Sequence, residues 1–135
     1  MPQHLGAITL VVRDYDEARD WYVAKLGFDV VQDTDLGDGK RWLLVAPPGT
    51  GHTHLLLAKA GSPAQTQAVG NQTGGRVFLF LNTDDFWRDH RLYVARGVRF
   101  HEEPRVEAYG TVAVFEDLYG NLWDLLQLTR PGTPA

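Results

Sequence analysis

The amino-acid sequence contains no cysteine among its 135 residues. This absence excludes disulfide bonds, thiolate nucleophiles, cysteine-based zinc sites and iron–sulfur clusters. Any bound metal would need histidine, aspartate or glutamate ligands, and the chain has five histidines. The absence of cysteine therefore limits the kinds of catalytic and metal-binding site that this chain can form.

The sequence also lacks a long apolar segment and an excess of one charge. Its longest apolar stretch, residues 5–12, is about a third of the roughly 20 residues that span a membrane, and no basic segment precedes it as in a signal peptide. The net charge of −4, with lysine and arginine spread among the acids, offers no basic surface for nucleic acid or an anionic membrane. We therefore expect a cytoplasmic protein with a small-molecule or protein partner, and no nucleic-acid or membrane partner.

What is present is the composition of one globular domain. The 44% hydrophobic and 22% charged residues are close to the usual globular mixture. A chain of this length buries roughly two thirds of the surface that its unfolded form exposes. We expect a single domain over residues 1–135, not a disordered segment, a fibrous repeat or a coiled coil.

The first half of the chain predicts four strands and one helix. The strands are predicted at residues 7–13, 28–33, 40–46 and 54–59, with a turn at 36–39. Asp14 and Glu17 form an acidic capping box that begins the helix, and Gly27 ends it. Its apolar side chains recur at spacings of three and four, at Tyr15, Ala18, Tyr22 and Leu26. The pattern predicts an amphipathic helix that packs on a sheet.

The second half repeats this order at a period of about 70 residues, since Ile8 aligns with Val77 and Gly27 with Gly97. It predicts a helix at 84–96, a turn at 117–121, and strands at 76–82, 98–101, 111–115 and 122–128. Residues 61–75, without aromatic or charged side chains, are predicted to be a linker. The prediction is an α+β fold of two tandem β-α-β-β-β modules, about 5–60 and 76–129.

Two motifs connect this pattern to a family. A V-x-D strand end precedes E-A-x-x-W-Y-x-x-x-L-G-F, and F-E-D-x-Y-G-N-x-W-D-L lies near the end of the chain. Over roughly residues 5–128 the sequence resembles the vicinal oxygen chelate superfamily, which includes glyoxalase I, extradiol dioxygenases, fosfomycin-resistance enzymes and bleomycin-binding proteins. The resemblance implies cupped mixed sheets around a cavity. This fold hosts metal enzymes and simple binders, so function must be argued from the cavity residues.

The resemblance also implies four metal-ligand positions, which fall at Ala7, Leu56, Arg76 and Asp124. Only Asp124 can ligate a metal, and a shift of one residue in either direction restores none of the others. We therefore predict no metal, no other cofactor and no catalytic residue. The alternative is a metal-dependent lyase or dioxygenase of the glyoxalase I or extradiol dioxygenase type, which would need His52, His54 or His101 beside Asp124.

Strand alternation, anchored on those positions, predicts the cavity lining. The predicted ligand-binding residues are Arg76, Asp124, Phe78, Phe80, Trp42, His54 and Tyr109, although Leu43 could replace Trp42 and Thr111 could replace Tyr109. Arg76 and Asp124 are expected to lie side by side and to bind an anionic group of the ligand. The structural alternative is a buried Arg–Asp bridge among core aromatic side chains. His90, on the second helix, is expected on the solvated face.

These expectations predict a small-molecule binding protein of the glyoxalase/bleomycin-resistance type with a degenerate metal site. Its ligand would be planar or aromatic, with an anionic group in one version of the hypothesis. A structural or interaction module with a filled cavity is a third alternative. Because half-cup sheets leave apolar faces and edges uncovered, we also expect a homodimer.

Overall fold

The structure, a computed structural model, describes residues 2–49, 51 and 53–130. Within these residues the chain forms eight strands and three helices. In chain order they are β1 (Ala7–Val12), α1 (Tyr15–Leu26), β2 (Asp29–Gly37), β3 (Lys40–Ala46), β4 (His54–Lys59), α2 (Pro63–Ala68), β5 (Val77–Asn82), α3 (Phe86–Ala95), β6 (Arg105–Glu107), β7 (Gly110–Glu116) and β8 (Leu122–Leu128). The chain divides into two compact units, Met1–Gln72 and Thr73–Ala135.

The first unit is a four-stranded mixed sheet with α1 packed on it, and the short helix α2 lies against β1. Its strand order is β1-β4-β3-β2, with β1 parallel to β4 and the other pairs antiparallel. The Asp14 carboxylate accepts a hydrogen bond from the Glu17 N–H at 2.8 Å, and Gly27 ends α1 in the left-handed region at φ 72°. The predicted apolar stripe is buried at Ala18, Tyr22 and Leu26. Both caps and the core face of α1 are therefore confirmed.

The second unit repeats this arrangement. Its strand order is β5-β8-β7-β6, with β5 parallel to β8. Asp85 caps α3 by accepting a hydrogen bond from the Arg88 N–H at 3.1 Å, and Phe86 and Tyr93 are the buried residues of the helix. The predicted α+β fold of two β-α-β-β-β modules is confirmed.

One predicted strand is wrong. Residues 98–101 contribute only an isolated bridge between Phe100 and Phe115, and the strand of this region is β6. Pro104 has no backbone N–H, which interrupts a ladder running from Phe100 to Arg105. The side chain of Glu102 accepts the Val114 N–H at 3.0 Å instead. The Glu102 side chain thus satisfies a backbone N–H group of β7 that a neighbouring strand would otherwise bond.

The predicted linker contains the short helix α2. Ser62 accepts a hydrogen bond from the Gln65 N–H at 3.2 Å, and Pro63 occupies the first helical turn, where its missing N–H costs nothing. The boundary between the two compact units falls after Gln72, inside the predicted linker range. The assignment of a single domain to residues 1–135 stays a prediction. No helix in the described part of the chain has the length and apolar character needed to cross a membrane.

Candidate ligand-binding faces

Each sheet has one face under a helix and one open face. In the first unit, Leu55 and Leu57 of β4 are buried on the helix-covered face. The alternate residues His54 and Leu56 pair with Ala7 and Thr9 of β1, and Leu56 also pairs with Leu44 of β3. Because residues paired across strands share a face, these side chains define the open face of the first unit.

Trp42 lies on this open face, two residues before Leu44. Its side chain is 40% exposed, whereas Leu43 on the helix-covered face is fully buried. Thr34 of β2 pairs with Trp42 and adds a hydroxyl group beside the indole ring. The register therefore places Trp42, and not Leu43, on the open face, while a role of Trp42 in binding stays a prediction. It also places His54 on the same face, at the beginning of β4.

The open face of the second unit centres on Phe80 and Asp124. Phe80 of β5 pairs with Asp124 of β8, which pairs in turn with Val114 of β7. Trp123 and Leu125, the neighbours of Asp124 in the chain, are buried on the helix-covered face, whereas Phe80 is 57% exposed. An aromatic ring thus lies next to a carboxyl group on an accessible surface.

The carboxyl group of Asp124 is incompletely paired. Its Oδ1 atom is buried and has no hydrogen-bond partner among the residues that the structure describes, although Asp124 as a whole is only half-buried. Burial raises the pKa of Asp124, the positive charge of Arg105 lowers it, and the negative charge of Glu102 raises it further, with a net upward shift. A buried acceptor without a donor is rare and costs free energy, so this oxygen is a candidate contact for a ligand.

Arg105 is the cation that acts on Asp124. Its Nε donates to Glu102 at 2.9 Å, its Nη1 donates to Glu107 at 3.1 Å, and it also shares a side-chain hydrogen bond with Tyr109. Arg105 pairs with Val112 and Asp124 with Val114, and these alternate residues of β7 place both charges on the same face. Tyr109, one of the predicted site residues, therefore belongs to the polar group around Arg105.

Arg76 does not form the predicted pair with Asp124. Across the described residues no ion pair joins the two side chains, and Arg76 is exposed just before β5. The β5–β8 register shifts between Val77 and Leu79, so the alternation used to orient Arg76 and Phe78 is interrupted there. Phe78, at the shift, is half-buried. Sequence reasoning missed Arg105 because β6 was expected to be a loop.

A third feature is a surface cavity of about 500 Å³ beside the β2–β3 hairpin. Arg41 lies in it, with Nη1 2.7 Å from Asp16 and Nη2 2.8 Å from Asp33, and its guanidinium is 5.1 Å from the centre of the Tyr15 ring. The charged groups that meet at Arg41 therefore satisfy one another. Neither an exposed aromatic face nor a partnerless buried atom is found among its lining residues Asp16, Asp33, Asp35, Gly37, Asp38, Gly39 and Arg41.

A family model described as Glyoxalase/Bleomycin resistance protein/Dioxygenase superfamily matches residues 4–125. The chain belongs to this superfamily. A protein of Shewanella frigidimarina (strain NCIMB 400), named only as an uncharacterized protein, is 59% identical over 129 residues, which are 95% of this chain and 96% of that protein. The confirmed resemblance covers nearly the whole sequence.

Two solved structures are similar to this superfamily member over almost their full lengths. The crystal structure of UcmS2 matches with a TM-score of 0.81 at 30% identity, covering 93% of this chain and 98% of that chain. TnmS3, an antibiotic binding protein from Streptomyces sp. CB03234, matches with a TM-score of 0.75 at 32% identity, covering 95% of this chain and 98% of that chain. This chain thus shares its fold with TnmS3, a protein that is described as binding an antibiotic.

The degenerate metal site stays a prediction, because its four ligand positions, Ala7, Leu56, Arg76 and Asp124, are those that the sequence resemblance implies. Ala7 and Leu56 have no ligating atoms, Arg76 repels a cation, and only Asp124 could coordinate. Among the described residues, no group of three or more histidine, aspartate or glutamate side chains is arranged to hold a metal ion. His52 lies outside the described residues, and the absence of a metal and of any cofactor stays a prediction.

Two other histidines, His101 and His90, contact charged or aromatic side chains. His101 Nε2 lies 2.7 Å from Glu116 Oε1, and Arg99 Nε lies 3.7 Å from the same oxygen. His90 does not lie on the solvated face as expected, because its half-buried ring stacks on Phe86 and contacts Phe100 at centroid distances of 5.6 and 4.5 Å. Burial lowers the pKa of His90, partly opposed by Glu103.

The superfamily motif between β7 and β8 has a structural role. Asp117 and Asn121 are both 3% exposed. The Asp117 carboxylate accepts hydrogen bonds from the backbone N–H groups of Tyr119 and Asn121 at 3.0 and 2.9 Å, and from the Asn121 amide at 2.9 Å. This bonded turn begins β8 and thereby positions Asp124, three residues further along the chain.

Proposed function

We propose that this protein binds a small planar or aromatic molecule on the open faces of its sheets, without a metal and without converting the ligand chemically. One observation carries the proposal: Phe80, 57% exposed, pairs across the sheet with Asp124, whose Oδ1 is buried and has no hydrogen-bond partner in the described part of the chain. An exposed ring next to an unsatisfied acceptor is the combination of apolar surface and directed polar contact found in ligand sites.

The open face of the first unit supports the same chemistry. Trp42 offers an indole face that is 40% exposed, and His54 and Thr34 add polar atoms at its margin. Flat aromatic side chains favour stacking with planar ligands. TnmS3, similar at 32% identity, is described as an antibiotic binding protein, which supports antibiotic-like aromatic compounds as the first ligands to test.

A metal-dependent lyase or dioxygenase is the second candidate, and superfamily membership alone favours it. Of the histidines that this candidate would need beside Asp124, His101 is already bonded to Glu116. Elemental analysis of tag-free protein separates the candidates. A metal present at one equivalent, with a melting temperature that falls on chelation and recovers with the metal, would replace the binding proposal with this one.

The decisive experiment is a melting-temperature screen against aromatic and antibiotic-like compounds. A ligand at a hundred times its dissociation constant stabilises the fold by about 2.7 kcal/mol. We expect hits whose effect is lost in Phe80→Ala or Trp42→Ala and kept in Val23→Ala, a control on the exposed surface of α1. Hits should be recovered unchanged by mass spectrometry. The absence of any stabilising compound would favour a structural module, and a converted ligand would indicate an enzyme.

A further inference from the structure

The charged groups around Asp124 determine which type of ligand can bind to the open face of the second unit. This inference rests on the proposed function. The guanidinium of Arg105 bonds to the carboxylates of Glu102 and Glu107, and its charge also acts on the carboxyl group of Asp124. The next polar pair on this face, His101 with Glu116, adds another carboxylate, which Arg99 approaches at 3.7 Å. Negative charge therefore dominates the polar part of the face.

Arg105 is poorly placed to attract an anionic ligand. Its Nε and Nη1 already donate to two carboxylates, at 2.9 and 3.1 Å, and Tyr109 takes part in a further bond. An incoming anion would find only the remaining N–H groups of Arg105 and would be repelled by the carboxylates already bonded to it. Arg76, the cation expected to receive an anion, forms no ion pair with Asp124 anywhere in the described residues.

Asp124 lacks a donor. Its Oδ1 is buried without a partner, between Phe80 on β5 and Val114 on β7. An N–H or O–H group that reaches this oxygen would form the missing hydrogen bond, and a positively charged donor would also gain from the surrounding carboxylates. The neighbouring Phe80 ring can stack on the aromatic system that carries the donor.

We propose that Asp124 determines specificity as a hydrogen-bond acceptor, and that the ligand is a neutral or cationic aromatic molecule bearing an amino or hydroxyl donor. Anionic aromatic molecules, expected from the sequence, are rejected by Glu102, Glu107 and Asp124. Arg105 acts as a positioning residue: it holds the two glutamates and leaves the partnerless oxygen of Asp124 to the ligand.

Four naphthalene probes test this assignment by measured dissociation constants: 2-naphthylmethylammonium, 2-naphthol, 2-naphthoate and naphthalene. We expect the ammonium and the naphthol to bind at least tenfold more tightly than the naphthoate and severalfold more tightly than naphthalene. Asp124→Leu should reduce both donor probes to the level of naphthalene. Asp124→Asn, which keeps an acceptor without the charge, should weaken the ammonium more than the naphthol.

The exposed Asp20 of α1 provides the matched control, because Asp20→Asn also removes one carboxylate and should leave all four dissociation constants within about twofold. Tighter binding of the naphthoate, or donor-probe affinities unchanged by both Asp124 variants, would overturn the specificity assignment while leaving ligand binding intact. If no naphthalene probe and no compound of the wider screen binds, the proposed function itself fails and the assignment fails with it.

Discussion

The carboxyl group of Asp124 is partly buried, and its Oδ1 atom has no hydrogen-bond donor among the described residues. Burial raises the pKa of Asp124 above its usual 3.8, Arg105 opposes the shift and Glu102 adds to it. The native state then binds the proton more tightly than the unfolded chain does, so stability falls as the pH rises from 3.8 through the raised pKa. The charged form of Asp124 therefore destabilises the fold at this position of the open sheet face.

Replacing Asp124 by Asn should therefore stabilise the protein at neutral pH. We expect the free energy of unfolding to rise at pH 7, by an amount that solvent screening of this half-buried group limits, and to show little gain near pH 3.5, where the raised pKa favours the protonated carboxyl. Urea unfolding from pH 3.5 to 7.5 measures the difference, with Asp20→Asn as a control. Parallel curves for wild type and variant would contradict the raised pKa.

His90 should produce the opposite pH dependence. Burial against Phe86 and Phe100 lowers its pKa below the usual 6.5, so the unfolded chain binds the proton more tightly than the native state does. The stability that neutral His90 contributes is present above pH 6.5 and is lost as the pH falls towards the lowered pKa. His90→Phe should remove this loss between pH 6.5 and 5, measured by urea unfolding. A variant of the exposed His4, His4→Gln, should keep the wild-type slope.

At the scale of elements, the β7–β8 pair depends on a close backbone approach at Gly110. A Cβ atom there would lie 2.2 Å from the Gln127 carbonyl oxygen and 2.9 Å from the Leu128 Cα. Gly110→Ala should therefore destabilise the protein by about 2 to 3 kcal/mol, because paired backbone must move apart. Gly6→Ala, with nothing within 4 Å of its Cβ, should change stability by less than about 0.5 kcal/mol. Equal melting temperatures for the two variants would show that the strands separate easily.

The elements also differ in how well local sequence predicts them. Helix α1 carries its own signals, an acidic cap at Asp14 and a left-handed Gly27, and both act within a few residues. Strand β6 has only three residues, all of them exposed, and it is defined by its pairing with β7. No local periodicity marks such a strand, so its location could only come from the tertiary structure.

At the scale of the whole molecule we propose a homodimer. The edge strands β1 and β5 each pair with only one neighbour in the sheets of the described residues, and exposed apolar side chains such as Trp42 and Phe80 lie on the open faces. A second copy that pairs along these edges would satisfy their free backbone groups and leave the open faces to the ligand. Light scattering at micromolar concentration should give twice the 15.1 kDa of one chain. A mass of one chain would disprove the dimer.

The sequence by itself determined the α+β class, the repeated module and the caps of α1, because apolar periodicity and capping residues act over short distances. The β5–β8 register, and not the sequence, places Asp124 and Phe80 on one face, because the alternation that oriented Phe80 from Arg76 runs through the shift after Val77. Tertiary structure alone decided that Arg105, not Arg76, is the cation acting on Asp124, and that His90 packs among aromatic rings. The physical reason is register: the shift between Val77 and Leu79 and the pairing of β6 depend on residues distant in the chain, and a one-residue change moves a side chain to the opposite face.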